Sequence, residues 1–299
     1  MTNTPSFVCF GEILWDVFPT EQYLGGAPLN VALRLASLCG NDSVSIISAL
    51  GKDTLGNSAL AQIEKTRLET AHIQINNHPT GNVKVTLSED GNASYQIAHE
   101  VAWDYIIEAP AAFDAVRTDS LLVFGSLAAR SERSNTTLNR LIEAANFKVF
   151  DVNLRTPYYT WEQIFGLLKQ SDFVKMNDEE LAWICEQLQI SEPTLEAQLK
   201  ALQASIKTTY LCVTLGAEGA CLQYDDKCVK VPGVPAKVVD TVGAGDSFLA
   251  TLLWALFYRQ FDVKTSLFYA CAMGSLVASR AGANPKIDSE TLEGIIKGT

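Results

Sequence analysis

Two hydrophobic periodicities alternate along the chain. Nearly continuous apolar runs fall at residues 7–10, 44–50, 121–124, 149–152, 173–176 and 210–215, each too short for a buried helix. They predict strands covered on both faces. Between them, apolar residues recur at three- and four-residue spacing. Leu29, Ala32, Leu33 and Ala36 follow Pro28, whose missing N–H costs nothing in a first helical turn, and Gly40 ends the stretch. Further helices are predicted over 54–67, 134–145, 178–188, 196–207, 243–258 and 265–280. Buried strands alternating with helices define an α/β fold, with a mainly parallel central sheet and helices on both faces.

Two segments break this rhythm. Residues 12–23 carry the first strand past the point where a crossover helix should begin. In 80–97, Val83, Val85 and Leu87, then Asp90-Gly91-Asn92, then Ala93, Tyr95 and Ile97 alternate as a hairpin does. Such strands fit poorly into a sheet buried on both faces. They predict a small β lid standing off the main domain, an ordinary edge hairpin being the simpler alternative. With no repeat, low-complexity tract or long linker, one domain over 1–299 is expected, its lid built from insertions at about 12–24 and 78–104.

Composition narrows the partners. Acidic residues outnumber basic ones by 34 to 23, a net charge of -11. The resulting field repels nucleic-acid backbones and anionic lipid, which argues against nucleic acid or membrane as a partner. An anionic ligand would need local chemistry to overcome it. Seven scattered cysteines (Cys9, Cys39, Cys185, Cys212, Cys221, Cys228, Cys271) include no C-x-x-C pair, and read as buried thiols in a reducing compartment. The N-terminus shows no leader pattern and the longest apolar run, 248–258, is too short to span a bilayer. A cytoplasmic protein is expected.

The most informative stretch is Asp240-Thr-Val-Gly-Ala-Gly-Asp-Ser-Phe248. Gly243 and Gly245 allow a tight strand-to-helix turn in which the N–H groups of Gly243, Ala244, Gly245 and Asp246 face outward, an anion site at the positive end of a helix. A phosphate cradle gains nothing from a carboxylate beside the anion. Asp246 is useful there if it takes the proton from a hydroxyl attacking a phosphoryl group; a plain helix cap is the alternative. In Gly25-Gly26-Ala-Pro-Leu-Asn30, paired glycines admit close backbone approach and Asn30 offers a donor and an acceptor to a polyol. Asp16 could accept from sugar hydroxyls or be a solvated charge. Thr214, Gly216 and Gly219 form a tight turn between two β runs, fit for nucleotide phosphates or for a plain hairpin. Asn177 and Glu180 share one side of a first helical turn, where oxygen ligands suit hydrated magnesium and a capping box fits equally well. There is no phosphate loop of the G-x-x-x-x-G-K-S/T type, no G-x-G-x-x-G, no G-x-S-x-G elbow and no H-E-x-x-H.

Taken in order, Gly25-Gly26…Asn30, Asn177-x-x-Glu180, Thr214-x-Gly216-x-x-Gly219 and Asp240-Thr-x-Gly243-Ala-Gly245-Asp246 resemble the ribokinase-like (pfkB) carbohydrate kinase family over essentially the whole chain. Gly11-Glu12-Ile-Leu-Trp-Asp16, Phe124-Gly-Ser-Leu127 and Phe150-Asp-Val-Asn-Leu-Arg155 are most similar to its bacterial fructokinases. The resemblance implies ATP-dependent phosphorylation of a sugar hydroxymethyl group, under a lid that in this family often forms a dimer interface. It assigns Asp246 as general base and the 243–246 amides as the anion hole. Asp16, Gly25, Gly26, Asn30 and Arg155 would hold the sugar. Thr214, Gly216 and Gly219 would line the nucleotide site, with Asn284 near adenine or ribose. Asn177 and Glu180 would organise Mg-ATP, largely through water, and Asp240 resembles a monovalent-cation site, leaving potassium activation open. A 2-keto-3-deoxygluconate kinase shares the 151–155 stretch and is the nearest alternative; a ribokinase, a nucleoside kinase and a non-catalytic sugar-binding regulator are more distant ones.

Overall fold

The computed structural model describes residues 5–40, 43–87, 93–117, 119–287, 291, 292 and 294. The chain opens with β1 (Ser6–Phe10), the short pair β2 (Leu14–Val17) and β3 (Gln22–Gly25), α1 (Ala27–Cys39), β4 (Val44–Gly51), α2 (Thr54–Ile63) and β5 (Ile73–Asn76). A second pair, β6 (Gly81–Leu87) and β7 (Ala93–Ile97), precedes α3 (Pro110–Arg117), β8 (Ser120–Gly125), α4 (Glu132–Ala144), β9 (Phe147–Asp151), α5 (Trp161–Gln170) and β10 (Phe173–Asn177). Then come α6 (Asp178–Gln187), α7 (Leu195–Ile206), the antiparallel run β11 (Tyr210–Thr214), β12 (Ala220–Tyr224) and β13 (Lys227–Val231), and finally α8 (Ala244–Leu253) and α9 (Val263–Ala278). After α8 the expected helix runs on as a π-helical turn, Trp254–Tyr258.

Nine strands form the main sheet in the order β13-β12-β11-β10-β9-β8-β1-β4-β5. From β5 through β11 every pairing is parallel, and only the last hairpins reverse. Alternation along each strand divides the core. Val8, Phe10, Leu122, Phe124, Phe150, Val174 and Met176 face α3 to α7, whereas Phe7, Cys9, Leu121, Val123, Val149 and Phe173 face α1, α2, α8 and α9. Both faces are covered, which is why these strands read as unbroken apolar runs.

The two segments that broke the rhythm form a separate four-stranded sheet, β3-β2-β6-β7. Its root is pinned to the main domain. Asp53, the N-cap of α2, also accepts the Thr80 N–H and hydroxyl, both at 2.7 Å, and the Trp15 indole donates to Leu55 O at 3.1 Å. Trp103, fully buried, stands where β6 leaves the domain: a side chain on Gly81 would strike it. The expected turn Asp90-Gly91-Asn92 lies outside the described residues. Among the described residues no helix is long and apolar enough to cross a membrane, and the seven cysteines are free thiols.

Candidate active site

In the central sheet the chain first steps from β1 to β4 and β5, and later from β1's other neighbour β8 outward through β9, β10 and β11. That reversal opens a crevice at the carboxyl ends of the strands, where α/β folds place ligands. Glu12 follows β1, Asp151 ends β9, Arg155 lies just beyond it, and Asn177 and Thr214 end β10 and β11. The N-termini of α1 and α8 enter the same crevice.

Each helix starts at a glycine that its position demands. Gly26, the N-cap of α1, has φ 113, and a Cβ there would sit 2.3 Å from Glu12 O. Gly243, the N-cap of α8, has φ 75, and a Cβ would meet Ala283 O at 2.4 Å. Only glycine accepts both the left-handed backbone and the close approach. α8 has no side-chain cap. Its Ala244 N–H turns back to Thr241 O at 3.2 Å, so of the four amides expected to face outward this one is engaged within the turn.

Across the crevice, the buried Asn30 donates from Nδ2 to Asp246 Oδ2 at 2.7 Å. This bond joins residues 216 positions apart and brings the expected base onto the expected sugar loop. Asn284, expected beside the nucleotide, donates in this structure to Asn30 Oδ1 at 2.6 Å. Asp16, half-buried on β2, faces Gly25, where a Cβ would lie 2.7 Å from its Oδ2. Arg155 is exposed, with Nη1 on Leu154 O at 2.9 Å, yet its charge is felt by Glu12, Asp16 and Asp246. Burial raises the carboxyls of Asp16 and Asp246 to about 6, with Arg155 pulling both back down. A carboxyl near 6 is deprotonated at neutral pH and still basic enough to take a proton.

Other expected ligands are engaged with the backbone. Asn177 and Glu180 form the capping box: Asn177 Oδ1 accepts the Glu180 N–H and Glu180 Oε2 the Asn177 N–H, both at 2.8 Å. Glu180 Oε1 takes the Leu154 N–H at 2.8 Å. Asp240 spends one oxygen on the Val242 N–H at 3.0 Å and the other on the Gly282 N–H at 2.9 Å. It ties the turn before α8 to the loop that carries Asn284, and a monovalent cation there would have to be held by backbone carbonyls. Among the described residues no group of three His, Cys, Asp or Glu side chains could hold a metal. Thr214 donates to Met176 O at 3.4 Å, and Gly216 and Gly219 bound the one-turn 3-10 segment before β12.

Three residues of this site were not singled out as ligands or catalysts from sequence. Glu12 is buried; its Oε1 accepts the Ala27 N–H at 3.2 Å and its Oε2 has no partner. Lys175 and Asp151 form a buried pair. A charged residue inside an otherwise apolar strand was the available signal.

Asp246 beside the uncapped start of α8 is an arrangement that phosphoryl transfer can use, and the doubly covered, mainly parallel sheet with a second four-stranded sheet is the ribokinase-like fold. The model for the pfkB family carbohydrate kinases matches residues 2–290. The chain belongs to that family. It is 28% identical to fructokinase-2 of Solanum lycopersicum, with 94% of this chain and 92% of that protein aligned. It is 26% identical to a probable chloroplastic fructokinase-6 of Arabidopsis thaliana over 96% of this chain and 81% of that one. The crystal structure of a Xylella fastidiosa fructokinase with bound ATP has the same fold, with a TM-score of 0.86 at 23% identity, covering 99% of both chains. A Vibrio cholerae fructokinase with fructose, ADP and calcium bound gives 0.81 at 22% identity, covering 98% of this chain and 99% of that one.

Proposed function

We propose that this chain transfers the γ-phosphoryl group of Mg-ATP to a hydroxymethyl oxygen of a ketohexose, converting fructose to fructose 6-phosphate. The observation that carries the reading is the 2.7 Å bond from Asn30 to Asp246. It holds the base at the edge of the sugar loop, so a hydroxyl bound there lies beside both the proton acceptor and the amides of α8. Asp16, Gly25, Gly26, Asn30 and Arg155 hold the sugar. Asp246 takes the hydroxyl proton as the oxygen attacks the γ-phosphorus, and the bond to the bridging oxygen of ADP breaks. The turn at 243–246 receives the transferred group, and the lid excludes water that would otherwise hydrolyse ATP. Thr214, Gly216, Gly219 and Asn284 line the nucleotide side, Asn177 and Glu180 order the hydration of its magnesium, and Asp240 shapes the turn, with potassium held, if at all, by neighbouring carbonyls. A homodimer through the lid sheet, whose outer strands β3 and β7 pair on one side only, belongs to the same proposal. The fructose- and ADP-bound Vibrio cholerae relative and the plant fructokinases support the choice of sugar.

A coupled ADP-release assay with Mg-ATP against fructose, ribose, mannose, 2-keto-3-deoxygluconate and adenosine tests this reading. Fructose is expected to give the highest kcat/KM. Preference for 2-keto-3-deoxygluconate would move the assignment to an acid-sugar kinase using Arg155 as counter-ion, and no turnover with any acceptor would overturn it.

A further inference from the structure

β10 reads Phe-Val-Lys-Met-Asn, and Phe173, Val174 and Met176 are fully buried. Lys175 shares that burial at 6% exposure. An ammonium so placed loses its hydration and needs a partner. Its register neighbour on β9 provides one: Nζ lies 3.0 Å from Asp151 Oδ1, with both side chains buried. Alternation sends Lys175 to the same face as Phe173, the face covered by α8. There the ammonium lies against the first turn of α8, since a Cβ on Gly245 would come within 3.3 Å of Nζ. Asp151 Oδ2 is buried and unpartnered.

A buried ion pair is a poor source of stability, because apolar side chains of similar volume commonly serve as well or better. This one sits directly beneath the anion-binding turn. The geometry points to Lys175 and Asp151 as a positioning pair that sets the proton affinity of Asp246 and fixes positive charge under the turn that receives the phosphoryl group. The inference rests on the reading of Asp246 as the base. Both would act through the first turn of α8, against which the ammonium lies.

The groups facing Asp246 are Asn30 from α1, Glu12 from the segment after β1, Arg155 from the segment after β9, Asp151 from β9 and Lys175 from β10. Burial raises the Asp246 carboxyl and the Asp151 charge raises it further; the Asn30 amide, Lys175 and Arg155 lower it. The two members of one ion pair thus push the same carboxyl in opposite directions. A purely structural pair would not: breaking it from either side would loosen the same turn and disturb the base alike.

The test is the pH dependence of kcat/KM for the sugar in Asp151→Asn, Lys175→Met and the double variant, with thermal melts of each. Asp151→Asn keeps an amide oxygen for Lys175, and is expected to move the acid limb down by about one pH unit. Lys175→Met should move it up by about one unit and lower the plateau roughly tenfold. The double variant should return toward the parent limb. Shifts in the same direction, or no shift, overturn the inference. If Lys175→Met does not fold, Asp151→Asn alone decides: an unmoved limb is a refutation. Near-normal turnover in Asp246→Asn, run alongside, would instead mean that the reading of the base has failed.

Discussion

Two helices point their N-termini into one crevice and are finished differently. α1 begins at Gly26, and its first amide, Ala27 N–H, is already answered by a buried carboxyl, Glu12. α8 begins at Gly243 with no side-chain cap and carries its acid, Asp246, in the first turn, aimed across the crevice at Asn30. The first helix end is closed to an anion and presents an amide side chain, which suits a neutral polyol. The second has no side-chain cap, and although its Ala244 N–H is engaged within the turn, its dipole and remaining first-turn amides suit a phosphoryl group. Under the proposed function this resolves the tension posed by a net charge of -11: the anion would be received at one helix end, over a buried lysine, where short-range terms outweigh a screened whole-chain field.

The contrast can be broken from either helix. The largest effect is expected from Asp246→Asn, which removes the proton acceptor and leaves the shape. Turnover should fall about 10³–10⁴-fold, while calorimetric affinities for sugar and Mg-ATP stay within a few-fold; near-normal turnover would contradict the assignment. Gly243→Ala comes next. Its Cβ would press on Ala283 O and force a left-handed alanine, shifting the start of α8, and kcat should drop about 100-fold with the circular dichroism spectrum retained. Unchanged kcat would show that the turn is not the phosphoryl receptor.

Asn30→Ala strikes the sugar side. The sugar KM should rise about tenfold with little change for ATP, because the sugar hydroxyl that the amide served is then bound without a hydrogen-bond partner. The reverse pattern would mean that the two helix ends have been exchanged. The smallest effect is expected at Glu12. Burial raises its carboxyl from 4.5 to about 7, so between those values the native state holds a proton that the unfolded chain has released. Stability contributed by the neutral form is present below 4.5 and is lost as pH rises through 7. Glu12→Gln keeps an acceptor for Ala27 and removes that loss. Its melting temperature should exceed the parent's by about 5 °C at about pH 8 and match it near pH 4.5, and equal melts at the higher pH would contradict the burial argument.

The features that periodicity could carry were readable in the chain. Strands buried on both faces, α1 with its Pro28 start and Gly40 stop, and the β-rich segments outside the main sheet all follow from local pattern, and each is present. What escaped was of two kinds. α3 is only two turns long, and α5, although Trp161, Ile164, Phe165 and Leu168 recur at i, i+3, i+4 and i+7, carries Gly166 at its centre. The lysine in β10 was submerged in an apolar run, and its importance depends on α8 lying over it, a tertiary fact. The same holds for Asn284, which meets Asn30 across 254 positions. Sequence placed the helix ends; packing decided which side chains answer them.

The most direct test of the central claim is phosphorus NMR of the purified protein with Mg-ATP and fructose. The expected result is loss of the γ resonance of ATP with equal growth of a phosphomonoester whose phosphorus couples to two protons, the signature of a phosphorylated hydroxymethyl group. Release of inorganic phosphate alone, or a product coupled to a single proton, would contradict it.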